Sequence, residues 1–302
     1  MHFENCVENI KRPYRGRFAP SPSGPLHFGS LVTALASFIH AKQHLGTWLV
    51  RIEDIDPPRE QQGAASLILK TLEAYGLHWD ETVLYQSQQS EKYNHLLNQL
   101  AQTQLTYHCI CTRANIKALG GIYQGFCKDK QQPSTQAAIR LVNNLAIHQY
   151  HDLIQGDVKC DLALAKEDFI LKRKDNLFAY QLAVVHDDIE QKISHIIRGC
   201  DLLEPTARQL TLFKTLNQAA PIFGHVPLVV SDEGFKLSKQ NKAAAIDINH
   251  PQPSLLNALT FLGQKPPAEL MNASVEEIIT WAVSQFDFNK VPKQSEIVLK
   301  TS

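Results

Sequence analysis

Apolar positions in the first third of the chain change period twice, and the changes outline strand, helix, strand. Residues 15–19 read as a short strand running into a Pro- and Gly-rich loop. A helix follows over 28–45, with Leu31, Leu35, Phe38 and Ile39 on one face. Gly46 stands where such a helix is capped, and TWLVRIEDI (47–55) returns to strand. After Pro57-Pro58 a second helix runs to about Tyr75 and stops at Gly76. Strand–helix–strand with joins this short predicts a parallel sheet with right-handed crossovers.

Between 106 and 175 the pattern breaks into short apolar runs, a Gly-Gly pair and a polar loop. Strands are expected at 137–142 and 168–173, with a turn at Asp175-Asn176. Alternation resumes with a helix near 179–186, strand 194–199, helix 205–217 and strand 226–230, and the end of the chain is helical. The expected fold is α/β, a doubly wound parallel sheet interrupted by an insertion. The divisions fall at 1–105 (first half of the sheet domain), 106–178 (insertion), 179–250 (second half) and 251–302 (a small helical appendage).

Composition narrows the class. The chain has 302 residues, 44% of them hydrophobic and 20% charged, which suits a soluble globular protein of about two domains. No apolar run reaches the ~18–20 residues that span a bilayer, and the N-terminus lacks an apolar export core, so the expected address is the cytoplasm. Thirty basic residues balance thirty acidic ones, which argues against a pure nucleic-acid-binding module; a nucleic-acid partner would need local basic patches.

Two motifs more than 200 residues apart carry the candidate chemistry: RFAPSPSGPLHFGS at 17–30 and KLSKQ at 236–240. The first places His27 and Gly29 where a helix begins, and backbone N–H groups at a helix N-terminus favour phosphate. The second sets Lys236 and Lys239 three residues apart in a loop, with Gly234 upstream to let the backbone bend. Together they suit a triphosphate held from two sides. Cys109, Cys111 and Cys127 lie within nineteen residues, and three sulfurs point to zinc with one ligand still to be supplied. His108 is the ordinary chemical choice for that fourth ligand. Cys6, Cys160 and Cys200 read as packing residues.

RFAPSPSG, RIEDIDPPR, AYQLAVVHDD, IIRGCDLLEPTARQ and KLSKQ, in that order over roughly residues 15–245, resemble the glutamyl-tRNA synthetases among the class I aminoacyl-tRNA synthetases. The resemblance implies a Rossmann-like catalytic core that activates L-glutamate with ATP and Mg2+. It implies that Arg17, Phe18, Ala19, Pro20 and Ser21 line a glutamate pocket, that Glu53 takes the ammonium group, and that Tyr180 and Arg198 complete the contacts. His27, Gly29, Lys236 and Lys239 would serve ATP, with His27 and Lys239 catalytic; Ser30 stands where the family often carries a second histidine.

The chain runs 62 residues past Gln240, too few for an anticodon-reading domain of ~100–150 residues. In this it is similar to truncated paralogues that carry CxC…Y…C and KLSKQ and glutamylate the cyclopentenediol of queuosine in tRNA(Asp). That resemblance implies Tyr123 as the fourth ligand of one structural zinc and queuosine-containing tRNA(Asp) as partner; a monomer is expected. A truncated enzyme charging a tRNA 3′ end with help from a partner, and a non-catalytic tRNA-binding paralogue, are the alternatives.

Overall fold

The computed structural model describes residues 13–118, 120–230 and 244–299. The chain opens with β1 (Arg15–Phe18), α1 (Phe28–Gln43) and β2 (Thr47–Ile52), then α2 (Ala64–Ala74), β3 (Leu84–Tyr85) and α3 (Ser90–Gln102). The next stretch holds β4 (Thr106–Cys109), α4 (Arg113–Ala118), β5 (Ala138–Leu141), β6 (Gln149–Asp152), β7 (Gly156–Lys159), α5 (Leu162–Ala165) and β8 (Ile170–Lys172). It is followed by α6 (Tyr180–Glu190), β9 (His195–Gly199), α7 (Pro205–Thr215), β10 (Ile222–Val226) and β11 (Leu228–Val230), and then α8 (Pro251–Phe261), α9 (Val275–Gln285) and β12 (Glu296–Val298).

The expected parallel pairing is present. β1 pairs with β2 from Arg15↔Thr47 to Phe18↔Val50, and β2 pairs with β3, both parallel. β9 and β10 form a second parallel pair. The two halves meet where the Ser194 backbone N–H donates to Arg15 O at 2.9 Å and the Arg15 N–H donates to Ser194 Oγ at 2.8 Å. The chain therefore winds outward from β1 through β2 and β3 on one side, and from β9 through β10 on the other. Ligands of such sheets bind beyond the carboxyl ends of the strands at this reversal.

α1 is buried nearly all round, not on one face as its periodicity suggests. Of the eleven positions from Leu31 to Ala41, all but Thr33 are buried. The sheet covers one side, while α8 and α9 pack against the helix and share its core through Leu255, Leu259 and Ile278. Its end also differs from expectation. Leu45 (φ 50°) takes the left-handed position, while the N–H of Gly46 bonds Ala41 O. Glycine is required at 46 for another reason: a Cβ there would stand 2.5 Å from Tyr14 Cδ1.

The segment inserted between the halves builds an antiparallel β4-β5-β8 sheet, and β6 and β7 form a separate hairpin. The hairpin is sewn to β10, since the Leu153 N–H donates to Phe223 O at 2.8 Å. Residues 226–230, expected as one strand, split between β10 and β11 because Pro227 offers no N–H to a ladder. No helix among the described residues is long and apolar enough to cross a membrane.

Candidate active site

The loop after β1 delivers His27 to the N-cap of α1. His27 Nδ1 accepts the Ser30 N–H at 3.3 Å, and His27 O accepts the Leu31 N–H at 3.0 Å. Ser30 thus meets His27 through its backbone. Lys236 and Lys239 lie outside the described residues. The chain just beyond them returns to this spot: Ala245 bridges His27, and the Ile246 N–H donates to Leu26 O at 3.1 Å.

The segments that follow β1 and β2 frame a cleft of about 310 Å³ lined by Ser21, Pro22, Ser23, Glu53, Asp56, Arg59, Glu60 and Gln61. The Glu53 N–H donates to Pro20 O at 3.0 Å, which fixes the two strand ends beside each other. Phe18 faces inward and stacks on Trp48; Ala19 is half-buried, Pro20 buried and Ser21 exposed.

Beneath the cleft lies a buried charge network. Arg17 donates to both oxygens of Asp188, at 3.2 and 3.4 Å, and Arg51 donates to Asp188 Oδ1. Asp187 accepts from Gln86 at 2.7 Å and from the Tyr93 hydroxyl at 2.8 Å. Burial alone would raise the Asp188 carboxyl, but Arg17 and Arg51 outweigh it and hold the group below the usual carboxylate range. Glu53 goes the other way. Burial pushes it up to about 7 against the pull of Arg51 and Arg17, with Asp188 and Asp187 adding repulsion. Its Oε1 is shielded from solvent and has no hydrogen-bond partner among the described residues.

Tyr180 begins α6, half-buried, and its phenol is raised by burial and then by the Glu53 carboxylate. Arg198, 3% exposed, does not pair with Asp187 or Asp188. Its Nε donates to His225 Nε2 at 3.0 Å and its Nη2 to Thr206 Oγ1 at 2.6 Å, while its Cζ lies 4.8 Å from the Phe223 ring centre. Nη1 is buried without a partner. Besides Arg51 Nε and Gln86 Oε1 in the network beneath, the unpartnered buried atoms here include a carboxylate oxygen of Glu53 and a guanidinium nitrogen of Arg198. That set matches an α-amino acid, which carries an ammonium and a carboxylate.

The three cysteine sulfurs converge to within 4.8 Å of one another, and the Cys111 and Cys127 sulfurs are 3.6 Å apart. The Tyr123 hydroxyl is in the same cluster, accepting the Cys127 N–H at 2.9 Å. Successive strand residues face opposite ways, so β4 sends Cys109 and His108 to different faces. The Tyr123 hydroxyl therefore stands on the side of the three sulfurs. Arg140 lies over the Tyr123 ring at 3.7 Å, and Tyr123 and Arg140 help hold the Cys109 thiol below its ordinary value despite burial.

Residues 14–300 match the family described as tRNA synthetases class I (E and Q), catalytic domain. The chain belongs to that family. It is 59% identical over 308 aligned positions to a glutamyl-Q tRNA(Asp) synthetase from Colwellia psychrerythraea, covering 96% of this chain and 98% of the relative. It is 54% identical to a protein of the same name from Shewanella oneidensis, covering 95% of each. Among solved structures it resembles a glutamate tRNA ligase from Elizabethkingia meningosepticum in complex with its amino acid, with 28% identity and a TM-score of 0.76. The glutamate-tRNA synthetase of Elizabethkingia anophelis gives 27% identity and a TM-score of 0.77. The match covers 94% and 96% of this chain but only 66% and 68% of those two, so it spans about two thirds of their length.

Motif reading of this class I synthetase chain missed the groups beneath and behind the cleft: Arg51, Gln86, Tyr93, Asp152, Thr206 and His225. Asp187-Asp188 carried a visible signal, two adjacent carboxylates at the end of an apolar helical run. His225 carried only a weak one, a lone polar residue between Phe223 and Val226.

Proposed function

We propose that the chain activates L-glutamate with ATP and transfers it to the cyclopentenediol of queuosine at the wobble position of tRNA(Asp). The observation that supports the first step is that Tyr180 lies within electrostatic reach of both Glu53 and Arg198, each of which keeps a buried polar atom without a hydrogen-bond partner among the described residues. Relatives named glutamyl-Q tRNA(Asp) synthetase, matched over nearly their whole length, support the choice of acceptor. In this reading Glu53 binds the ammonium and Arg198 a carboxylate, while Tyr180, Arg17, Ala19 and Ser21 shape the pocket.

The bound α-carboxylate attacks the α-phosphorus of ATP, and pyrophosphate leaves; a queuosine hydroxyl then attacks the acyl carbon and releases AMP. Little covalent help is needed, so the protein's part is positioning and charge neutralisation. His27, Gly29 and the start of α1 serve the phosphates, which arrive with Mg2+. Lys236 and Lys239 supply positive charge toward the departing pyrophosphate. Cys109, Cys111, Cys127 and Tyr123 fit a closed four-donor zinc site with a structural role, holding the 106–178 insertion between the catalytic halves 1–105 and 179–250. The chain after 250 adds α8 and α9 and then β12, which pairs with β11, where the sequence suggested helix alone; in this reading the working form is a cytoplasmic monomer.

The test is transfer of labelled glutamate to tRNA(Asp) with and without queuosine. Label is expected only on the queuosine-containing tRNA, and it should survive removal of the 3′-terminal CCA. Equal labelling of both tRNAs, or loss of label with the CCA, identifies 3′-end charging instead. Absence of glutamate-dependent ATP–pyrophosphate exchange, with tRNA present, identifies a binding protein.

A further inference from the structure

Arg198 is held differently from the other arginines of the cleft. Arg17 and Arg51 are tied to carboxylates, so their charge is offset within the protein. Arg198 is held by neutral acceptors: an imidazole nitrogen, a threonine hydroxyl and, at 3.5 Å, the Leu202 carbonyl. Its charge is left for a ligand.

The imidazole is itself set by a residue of the insertion. Asp152, at the end of β6, is fully buried, and its Oδ2 lies 2.6 Å from His225 Nδ1. Its Oδ1 accepts the backbone N–H groups of Ile154, Gln155 and His225, at 3.0, 2.9 and 3.1 Å. An arginine Nε can only donate, so His225 Nε2 must be the bare, accepting nitrogen. The proton of the neutral ring then sits on Nδ1, facing the carboxylate. Asp152, His225 and Arg198 form one line from the β6/β7 hairpin through β10 to β9. The Thr206 hydroxyl gives its single proton to Leu202 O at 2.6 Å and so accepts from Nη2.

We propose that Asp152 and His225 are positioning residues for substrate recognition: the carboxylate fixes the imidazole tautomer, and the imidazole fixes the guanidinium of Arg198 with Nη1 turned over to a substrate carboxylate. This rests on the reading that Arg198 binds glutamate. The hairpin, remote from the motifs in sequence, thereby sets the amino-acid site.

The substitutions separate tautomer control from simple packing. In Asp152→Asn the amide oxygen can keep the three backbone bonds, but its NH2 meets Nδ1 and forces the ring proton to Nε2, against the Arg198 Nε–H. His225→Phe keeps the ring and removes the acceptor. His225→Gln offers an amide oxygen near the position of Nε2.

ATP–pyrophosphate exchange, with queuosine-containing tRNA(Asp) present, is measured while glutamate and ATP are varied separately. Asp152→Asn and His225→Phe are expected to raise the KM for glutamate about 10- to 100-fold and leave the KM for ATP unchanged. His225→Gln is expected to recover most of the loss. An unchanged KM for glutamate in Asp152→Asn, an equal rise in both KM values, or no advantage of Gln over Phe at 225 overturns the relay. Should His225→Phe not fold, Asp152→Asn decides alone, because it changes almost no volume. Arg198→Lys is the control for the reading beneath: if it leaves the KM for glutamate unchanged, the assignment of Arg198 falls. If it raises that KM while Asp152→Asn does not, only the relay falls.

Discussion

If Glu53 binds the substrate ammonium as proposed, binding is sensitive to pH near neutrality. Its carboxyl is pushed up to about 7, first by burial and then by the repulsion of Asp188 and Asp187, against the attraction of Arg51 and Arg17. An ammonium group needs the ionised form. At pH 8 that form makes up about nine-tenths of the free protein and at pH 6 about one-tenth, so the KM for glutamate should rise about tenfold across this interval. Free glutamate adds little to the trend, because its carboxylates titrate below about pH 5. Glu53→Gln should raise the KM at pH 8 about 10- to 100-fold and flatten the profile. The assay is exchange at saturating ATP from pH 6 to 8.5, and a profile already flat in the parent chain refutes the reasoning. So does a slope that persists in Glu53→Gln. The sign for folding is the reverse of an ordinary salt-bridged acid. A carboxyl whose folded value lies above its unfolded one loses stability as pH rises from about 4.5 through 7, here by about 3 kcal/mol. Bound glutamate should restore part of that loss, so its stabilising shift in Tm should be larger at pH 8 than at pH 6.

The cysteine cluster predicts about one zinc per chain by elemental analysis, falling to background in Cys109→Ser; retention in that variant refutes the site. Tyr123→Phe should weaken zinc retention against a chelator, whereas His108→Ala should not. At the opposite end of the sheet, Tyr14 stacks on His195 with ring centres 4.3 Å apart, and its hydroxyl lies 2.6 Å from His40 Nδ1. Burial, with the neighbouring His44, lowers His40 to about 3 and His195 to about 4. Histidines lowered in the folded state contribute stability above pH 6.5 that is lost as pH falls, about 2 kcal/mol each between pH 7 and pH 5. Tm should fall over that range, with a shallower fall in His195→Phe; an unchanged slope refutes the link.

The frame of the fold was legible because it is written locally. Period changes around 15–55 and 179–217 marked β1, α1, β2, α6, β9 and α7 within a few residues. Two elements were readable but passed over. Tyr93, Leu96, Leu97 and Leu100 give α3 a helical stripe, and the apolar residues of 222–226 give β10. Pairings across long separations left no local trace. Arg17 and Asp188 stand 171 residues apart, and Asp152 and His225 stand 73 apart. Asp152 looked like any polar residue at a strand end. The helix start at His27 was legible for the opposite reason, since one loop supplies both His27 and the turn it caps.

The charges beneath the cleft are consistent with the proposed recognition by two groups. Arg17 and Arg51 face Asp187 and Asp188, so the buried foundation is close to neutral on its own. A charge buried without a partner costs several kcal/mol, and this arrangement avoids that cost for four groups at once. Glu53 and Arg198 remain. Glu53 escapes the penalty by holding its proton up to about pH 7. Arg198 cannot give up a proton at neutral pH, so its charge must be tolerated through hydrogen bonds to neutral acceptors until a carboxylate arrives. An acid partner in place of His225 would stabilise the empty protein and would also consume the attraction that binds substrate. A neutral imidazole fixes the guanidinium without spending its charge, and that difference separates an arginine built for a ligand from one built for the fold.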